Sequence, residues 1–503
     1  MHISHLSFKG IRGYSTETSF ELSPTTNYFV GENNSGKSSI LDAIFYLRNG
    51  TSTPDETFTI GIDKSYVEAT LSFAPDEAKD ALGDEYKKLE DFFSHNGDRD
   101  TIRIRRQSYD EDVLNSQTKK TSRITTKNIL IQNPQTDKFE NPTGIAALVQ
   151  RLFDTCFIYA DEQVADHADM GKTKTLGKLI SAQLSTIEEG TPWQQYIDSH
   201  AALFESKGAG TVQEQLQTTA ERVSTLMREQ YGDTTVTFAF TPPEAKELLK
   251  SGQVIISEPQ EKIAGMPLEN KGTGMQRAFM LALLQVVAET STNGHSGSIY
   301  GLDEPETWLH PRAQIQLSKA LSQLSANGRQ VLICSHSPYM LKNIDSMQDR
   351  VFIVERTEYT HEIRHEEQLR TDVLPHISLN AINYFAFKLP TTEFLDELYG
   401  EFQESVGGKN CSLSEKQIIE ELNQCGIPTS KHWKRNTDTG NRGVHPVQIC
   451  VYIRNYIHHP ENKCNAAYTE TELKAAIDDL ILAIIESKKK LHSQSTSTTS
   501  PSS

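Results

Sequence analysis

Lys37 and Ser38 are an amine and a hydroxyl placed directly behind Gly31 and Gly36 in the stretch GENNSGKSS, residues 31–39. The spacing fits G-x-x-x-x-G-K-[ST], a loop whose glycines let backbone N–H groups face a polyphosphate. Lys37 would reach the β and γ phosphates, and Ser38 would offer its hydroxyl to Mg²⁺. Further along, Asp303-Glu304-Pro305 supplies adjacent carboxylates, of which one can hold Mg²⁺ and the next can orient and deprotonate a water. His336, in Ser335-His336-Ser337-Pro338, can hydrogen-bond a γ phosphate or the attacking water. Gln163 stands at the polar end of an apolar run and can complete a metal's coordination sphere. Residues 270–277, NKGTGMQR, form a glycine-rich turn that feeds an apolar helix.

These groups need elements to hold them. Residues 27–30 read as a short apolar strand, and 39–44 as a helix start whose dipole favours an anion. Residues 152–160, 298–302 and 330–334 are apolar runs suited to buried strands, each ending in a polar string. Polar groups at strand C-terminal ends suit the crevice where α/β sheets bind ligands. Residues 2–8 alternate as a strand does, and the turn after them carries Lys9 and Arg12, which either sit beside a nucleotide or are solvated loop charges. Residues 66–73 and 101–107 read as strands around an acidic helical run at 76–93. Residues 108–145 are polar and strand-poor, and Lys119, Lys120, Arg123 and Lys127 read there as solvated charges rather than a nucleic-acid contact. Residues 174–232 are helical in pattern without sustained heptads, which excludes a long coiled-coil arm.

A chain of 503 residues exceeds one ordinary core, so two or three domains are expected. The net charge of −17 argues against a surface built wholly to grip nucleic acid. Six cysteines, Cys156, Cys334, Cys411, Cys425, Cys450 and Cys464, form no C-x-x-C pair, and neither a signal peptide nor a membrane-spanning run is present. A reduced, cytoplasmic protein with free thiols and no membrane contact is the expectation.

The order of phosphate loop, glycine-glutamine turn, DEP and SHSP resembles the ABC-type ATPases of the overcoming-lysogenization-defect and SMC-like group over residues 1–375. The resemblance implies an α/β fold: a P-loop ATPase head of mixed sheet flanked by helices, with an inserted helical region and an α-helical C-terminal domain. It implies that ATP and Mg²⁺ are bound. By position, Gly31, Asn34, Gly36, Lys37, Ser38 and Ser39 match the Walker A loop, and Gln163 the Q-loop. Thr273, Gly274 and Gln276 match the signature, Asp303 and Glu304 the Walker B pair, Leu309-His310-Pro311 the D-loop, and His336 the switch histidine. Thr273 replaces the usual serine and Met275 a common glycine. In this family one protomer's signature caps the ATP held by another, which implies at least a head-to-tail dimer.

Residues 376–490 read as a helical domain without acidic clusters at strand ends, and 491–503 as a low-complexity tail. Arg454 and His459, in RNYIHH, resemble the R-x4-H motif of HEPN ribonucleases, although the same residues ahead of Pro460 could cap a helix. Lys431-His432-Trp433-Lys434-Arg435 with Arg442 makes a basic patch around one aromatic, suited to RNA, DNA or an acidic partner. An ABC core with a helical domain and no nuclease blade resembles the ATPase subunit (PtuA) of the Septu antiviral system, which works with a separately encoded HNH nuclease (PtuB). The ATPase of the PARIS system, AriA, has a related architecture. An ATP-gated HEPN ribonuclease and a DNA-maintenance ATPase are the alternatives.

Overall fold

The computed structural model describes the chain outside residues 51–56, 115–118, 160–187, 189, 205–210, 243–246, 248–251, 259–264, 291–297, 327, 346, 366–372, 376–377, 408–412, 436–442 and 498–503. It divides into one unit of Met1–Ala160 with Ser291–Ser503 and a second of Asp161–Thr290.

In the first unit, five parallel strands and one antiparallel edge strand form a sheet in the order Asp154–Ile158, Ser298–Asp303, Gln330–Ser335, Thr26–Val30, Arg350–Arg356, His361–His365. Gln330–Ser335 and Thr26–Val30 are buried along their whole length, as β-branched and aromatic runs in a parallel sheet must be. A seven-stranded antiparallel sheet contains His2–Lys9, Thr18–Glu21, Tyr66–Phe73 and Arg99–Gln107. The helix Lys37–Asn49 packs on both sheets, and Ile40, Leu41, Ala43 and Ile44 enter the core they share. Gln330 ties the sheets together: its Nε2 donates to the Ile3 and Ser23 carbonyls at 2.8 Å each, and its Oε1 accepts the Ile3 N–H at 2.8 Å.

The C-terminal end of helix Lys37–Asn49 would leave carbonyls unmet, and Arg106 meets them. This buried guanidinium donates to Leu47 O at 2.6 Å, Arg48 O at 3.1 Å and the Lys127 carbonyl. Residues 108–145 were expected to be strand-poor, yet Glu111–Leu114, Thr121–Ile124, Leu130–Asn133 and Lys138–Glu140 are strands. Their polar composition reflects exposure: Glu111–Leu114 and Thr121–Ile124 pair with each other as a largely exposed hairpin, where alternation has little to bury. Within the expected basic cluster, Arg123 pairs with Asp110 at 3.3 Å.

The second unit holds the helices Thr191–Phe204, Val212–Tyr231 and Thr273–Thr290 and a small hairpin of Ile255–Ile256 with Met266–Pro267. The Thr211 hydroxyl caps Val212–Tyr231 by accepting the Glu214 N–H at 3.2 Å.

Helices Leu379–Phe387, Thr392–Gly407, Glu415–Gln424, Ile449–His458 and Glu470–Ser497 build a separate core at the C-terminus of the first unit. That core already includes Val373 and Leu374, so it begins before the expected boundary at 376. The last helix also runs past Lys490 to Ser497, into the stretch expected to be a tail, because extending an existing helix is far easier than nucleating one. Among the described residues, no helix is long and apolar enough to cross a membrane, and five cysteines are free.

Candidate nucleotide site

Parallel pairing aligns the ends that carry the chemistry. Asp303 is in register with Cys334, and Ser335 with Val30, so the phosphate loop, the DEP turn and the SHS turn emerge at one edge of the sheet. Asn34 has φ 60° and Gly36 φ 99°, both in the left-handed region that turns the chain back into the helix. A side chain on Gly31 would collide with the Val354 carbonyl oxygen. Lys37 is buried, and its Nζ donates to Gly31 O at 2.9 Å and Glu32 O at 2.7 Å. Burial lowers its pKa, against the pull of Glu304, Asp303 and Glu306.

Ser38 Oγ donates to Asp303 Oδ1 at 2.8 Å, joining the two residues expected to share Mg²⁺. Burial raises the Asp303 pKa to about 6, a cost that a divalent cation between these oxygens would reverse. Ser38 hydroxyl and Asp303 carboxylate suit Mg²⁺, a hard cation that takes oxygen ligands. Gln163, the third expected ligand, lies outside the described residues.

Glu304 has φ 44°, a conformation that costs a non-glycine residue about 1–3 kcal/mol and that is found at functional sites. Its N–H bonds Cys334 O at 2.8 Å, and its Oε1 lies 3.3 Å from His336 Nδ1. The contact lowers the Glu304 pKa and raises that of His336. Glu304 and His336 are therefore paired with each other, at the sheet edge where the phosphate loop opens. Ser39 and the loop's Asn33 and Asn34 complete the rim, Asn34 being exposed.

Two residues at this site escaped the sequence reading. Glu306 is 2% exposed and accepts Ser335 Oγ–H at 2.7 Å and the His336 backbone N–H at 3.0 Å through Oε1. Its repeat of acid two positions beyond Glu304 was the available signal. His361, on the edge strand His361–His365, bonds the Ser35 carbonyl through Nδ1, and a methyl on Gly36 would lie 2.6 Å from that nitrogen. No local pattern marks His361, since it reaches the loop only through strand pairing. Tyr14 Oη also donates to Gly36 O, at 3.1 Å. A cavity of about 440 Å³ lies beside Asn33, Asn34 and Ser35, with Arg356, Arg364 and Lys388 on its other walls.

Arg12 is paired with Asp42 at 3.1 Å, on the phosphate-loop helix, and is not a free loop charge. His310 accepts the Arg312 N–H at 3.3 Å through Nδ1, at the start of helix Pro311–Ala326. In the second unit, Thr273 and Gly274 open the helix Thr273–Thr290, with Thr273 exposed, and Gln276 Nε2 donates to Lys271 O at 2.8 Å and Glu269 O at 3.1 Å.

In the C-terminal domain, Arg454 and His459 have different partners. Arg454 lies 3.9 Å from Asp396, stacks over Tyr399 and shares Asp396 with His458, whose Nε2 is 3.0 Å away. Residues four apart share a helix face; His459 follows the helix, as its C-cap, and pairs with Glu461 at 3.2 Å. The basic patch is altered too: Trp433 is buried in the core, Lys431 pairs with Glu472 and Arg435 with Glu415 at 3.1 Å. The indole of Trp433 is therefore not open to a base. Arg442 lies outside the described residues.

A phosphate loop, a hydroxyl–carboxylate metal pair and a base–histidine pair on one sheet edge define a P-loop ATPase head. The sequence matches the AAA ATPase domain family over residues 1–341, and the chain belongs to that family. Old nuclease of Escherichia phage P2 is 29% identical over 334 residues, which are 64% of this chain and 54% of that protein. The chain thus spans about half the length of that relative. Among solved structures, an SMC head bound to the C-winged helix domain of ScpA is 15% identical, covering 73% of this chain and 98% of that chain at TM-score 0.43. The SMC head domain from Thermotoga maritima is 13% identical, covering 73% of this chain and 99% of that chain at TM-score 0.35. The chain is thus an ATPase of the AAA ATPase domain family.

Proposed function

We propose that the chain binds and hydrolyses MgATP as the ATPase subunit of a Septu-like anti-phage complex, its nucleotide state controlling a separately encoded HNH nuclease. The observation that carries the hydrolytic part is the Ser38–Asp303 bond beside the Glu304–His336 pair. Water oriented by Glu304 attacks the γ phosphate while Lys37 and the loop N–H groups hold the developing charge; Ser38 and Asp303 would hold Mg²⁺, which would supply further charge neutralisation. Two chains assemble head to tail, so that Thr273, Gly274 and Gln276 of one cap the nucleotide of the other. The likeness to Old nuclease supports a nuclease connection, and the helical C-terminal domain offers a surface for partner subunits. Nucleic acid is met through the partner.

Co-purification from the native operon, followed by assays on plasmid DNA and tRNA, tests this. A small HNH protein that co-purifies and cuts DNA supports the proposal, and a lone oligomer that cuts tRNA overturns it. One observation favours the ribonuclease reading: Arg454 and His458 converge on Asp396 at a half-exposed helix face. In that case His458→Ala or His459→Ala abolishes tRNA cleavage and leaves ATP turnover intact.

A further inference from the structure

Glu306 is a buried carboxylate at the site to which neither the phosphate chemistry nor the metal gives a role. It lies on the turn after Asp303, shut away from solvent, and its Oε1 already receives the Ser335 hydroxyl and the His336 backbone N–H. The turn that carries it is itself pinned: Glu306 O accepts the Leu309 N–H at 3.0 Å, and Gln314, whose Oε1 accepts Ser337 Oγ–H at 2.6 Å, reaches the Leu309 carbonyl at 2.8 Å. The DEP turn and the SHS turn are thus one hydrogen-bonded block with Glu306 at its centre.

Two features go beyond a brace. The imidazole Nδ1 of His336 lies 3.3 Å from Glu304 Oε1 but only 3.7 Å from Glu306 Oε1, so a small ring rotation changes its acceptor. Glu306 Oε2, moreover, is buried with no hydrogen-bond partner. A buried carboxylate with one oxygen left unpaired has acceptor capacity to spare, and the His336 ring is the nearby donor that can turn to it. In the resting arrangement the histidine holds Oε1 of the carboxylate that orients water, and moving that contact to Glu306 frees both oxygens of Glu304 for the water.

We propose that Glu306 is a positioning residue for hydrolysis: it takes the Nδ1–H of His336 when Glu304 turns to the attacking water. Held in this way, the protonated imidazole keeps its orientation and presents Nε2–H as a donor toward the γ phosphate. Burial, which raises the Glu306 pKa, matters less than the acceptor itself, because a neutral carboxyl or amide oxygen accepts the same N–H. The inference rests on the reading of Glu304 and His336 as the hydrolytic pair.

The test uses the full chain with Glu306→Leu, Glu306→Gln, Glu306→Asp, His336→Ala, Glu304→Gln and the His336→Ala/Glu306→Leu double variant. ATP turnover, KM and melting temperature are measured for each. Glu306→Leu is expected to lower kcat about 10- to 100-fold with KM held within about threefold, while Glu306→Gln stays within about threefold of the parent. The double variant should be no slower than His336→Ala, since both act through one ring. Should Glu306→Leu fail to fold, the other pair decides: Glu306→Asp, one methylene short of the histidine, loses kcat at an unchanged melting temperature while Glu306→Gln keeps it. Parental kcat in Glu306→Asp, or a Gln variant as slow as the Leu variant, overturns the inference while inactive Glu304→Gln leaves the site reading standing. Parental turnover in both Glu304→Gln and His336→Ala overturns the site reading itself.

Discussion

The amine of Lys37 and the carboxylates opposite it set the chemistry at the scale of single residues. Lys37→Ala removes the cation and leaves the loop carbonyls without their donor, so ATP affinity should fall by about 100-fold or more in a calorimetric titration. Glu304→Gln keeps the shape and the hydrogen bonding of the site, and should bind ATP at parental affinity while turnover drops about 100-fold or more. The Glu304–His336 pair also has a pH signature in the nucleotide-free protein. Glu304 is lowered from 4.5 and His336 raised from 6.5, each mainly by the bond to the other. The pair's stabilisation is therefore fully present between those two values. It is lost as pH rises through the raised histidine pKa, and lost again as pH falls through the lowered glutamate pKa. The melting-temperature gap between parent and Glu304→Gln should be widest between pH 4.5 and 6.5 and narrow as pH rises through the raised histidine pKa. A gap that widens with rising pH would contradict the pairing.

Among elements, the helix Lys37–Asn49 shows how a short motif depends on distant support. Its N-terminal end was legible because Gly31, Gly36, Lys37 and Ser38 sit in one contiguous stretch with fixed spacing. Its C-terminal end was not, because the group that satisfies Leu47 and Arg48 is Arg106, on a strand of the other sheet. Arg106→Met should cost about 3 kcal/mol in urea unfolding, from buried carbonyls left without donors. The strands that deliver Asp303 and His336 were legible as apolar runs ending in polar strings. Trp433 shows the opposite case: an aromatic flanked by lysines looks like a stacking platform, and only the packing of Tyr452 against it reveals a core residue. His361 and Glu306 act through partners far away in sequence or through an unremarkable acid, and periodicity carries no information about either.

At the scale of the whole molecule, a head-to-tail assembly makes a prediction that no single-site model shares. Lys37→Ala and Thr273→Arg should each abolish turnover, yet a mixture of the two should recover roughly a quarter of the parental rate, because some mixed dimers contain one intact site. No recovery on mixing would argue that each chain works alone. The charge balance and absent coiled coil bounded the class from sequence, and the core of the C-terminal domain takes in Val373 and Leu374 as well. The two parts are also fastened beside the phosphate loop. Glu355, on strand Arg350–Arg356, pairs with Arg364 at 2.6 Å and with Lys388, just beyond helix Leu379–Phe387. As an exchangeable part, the C-terminal domain therefore does not begin where its own helices begin. A chimera cut at residue 376 would bring a foreign surface against Glu355, while one cut ahead of Arg350 would pull a strand out of the sheet that carries the phosphate loop, so the joint at 376 has to keep Lys388 as the partner of Glu355.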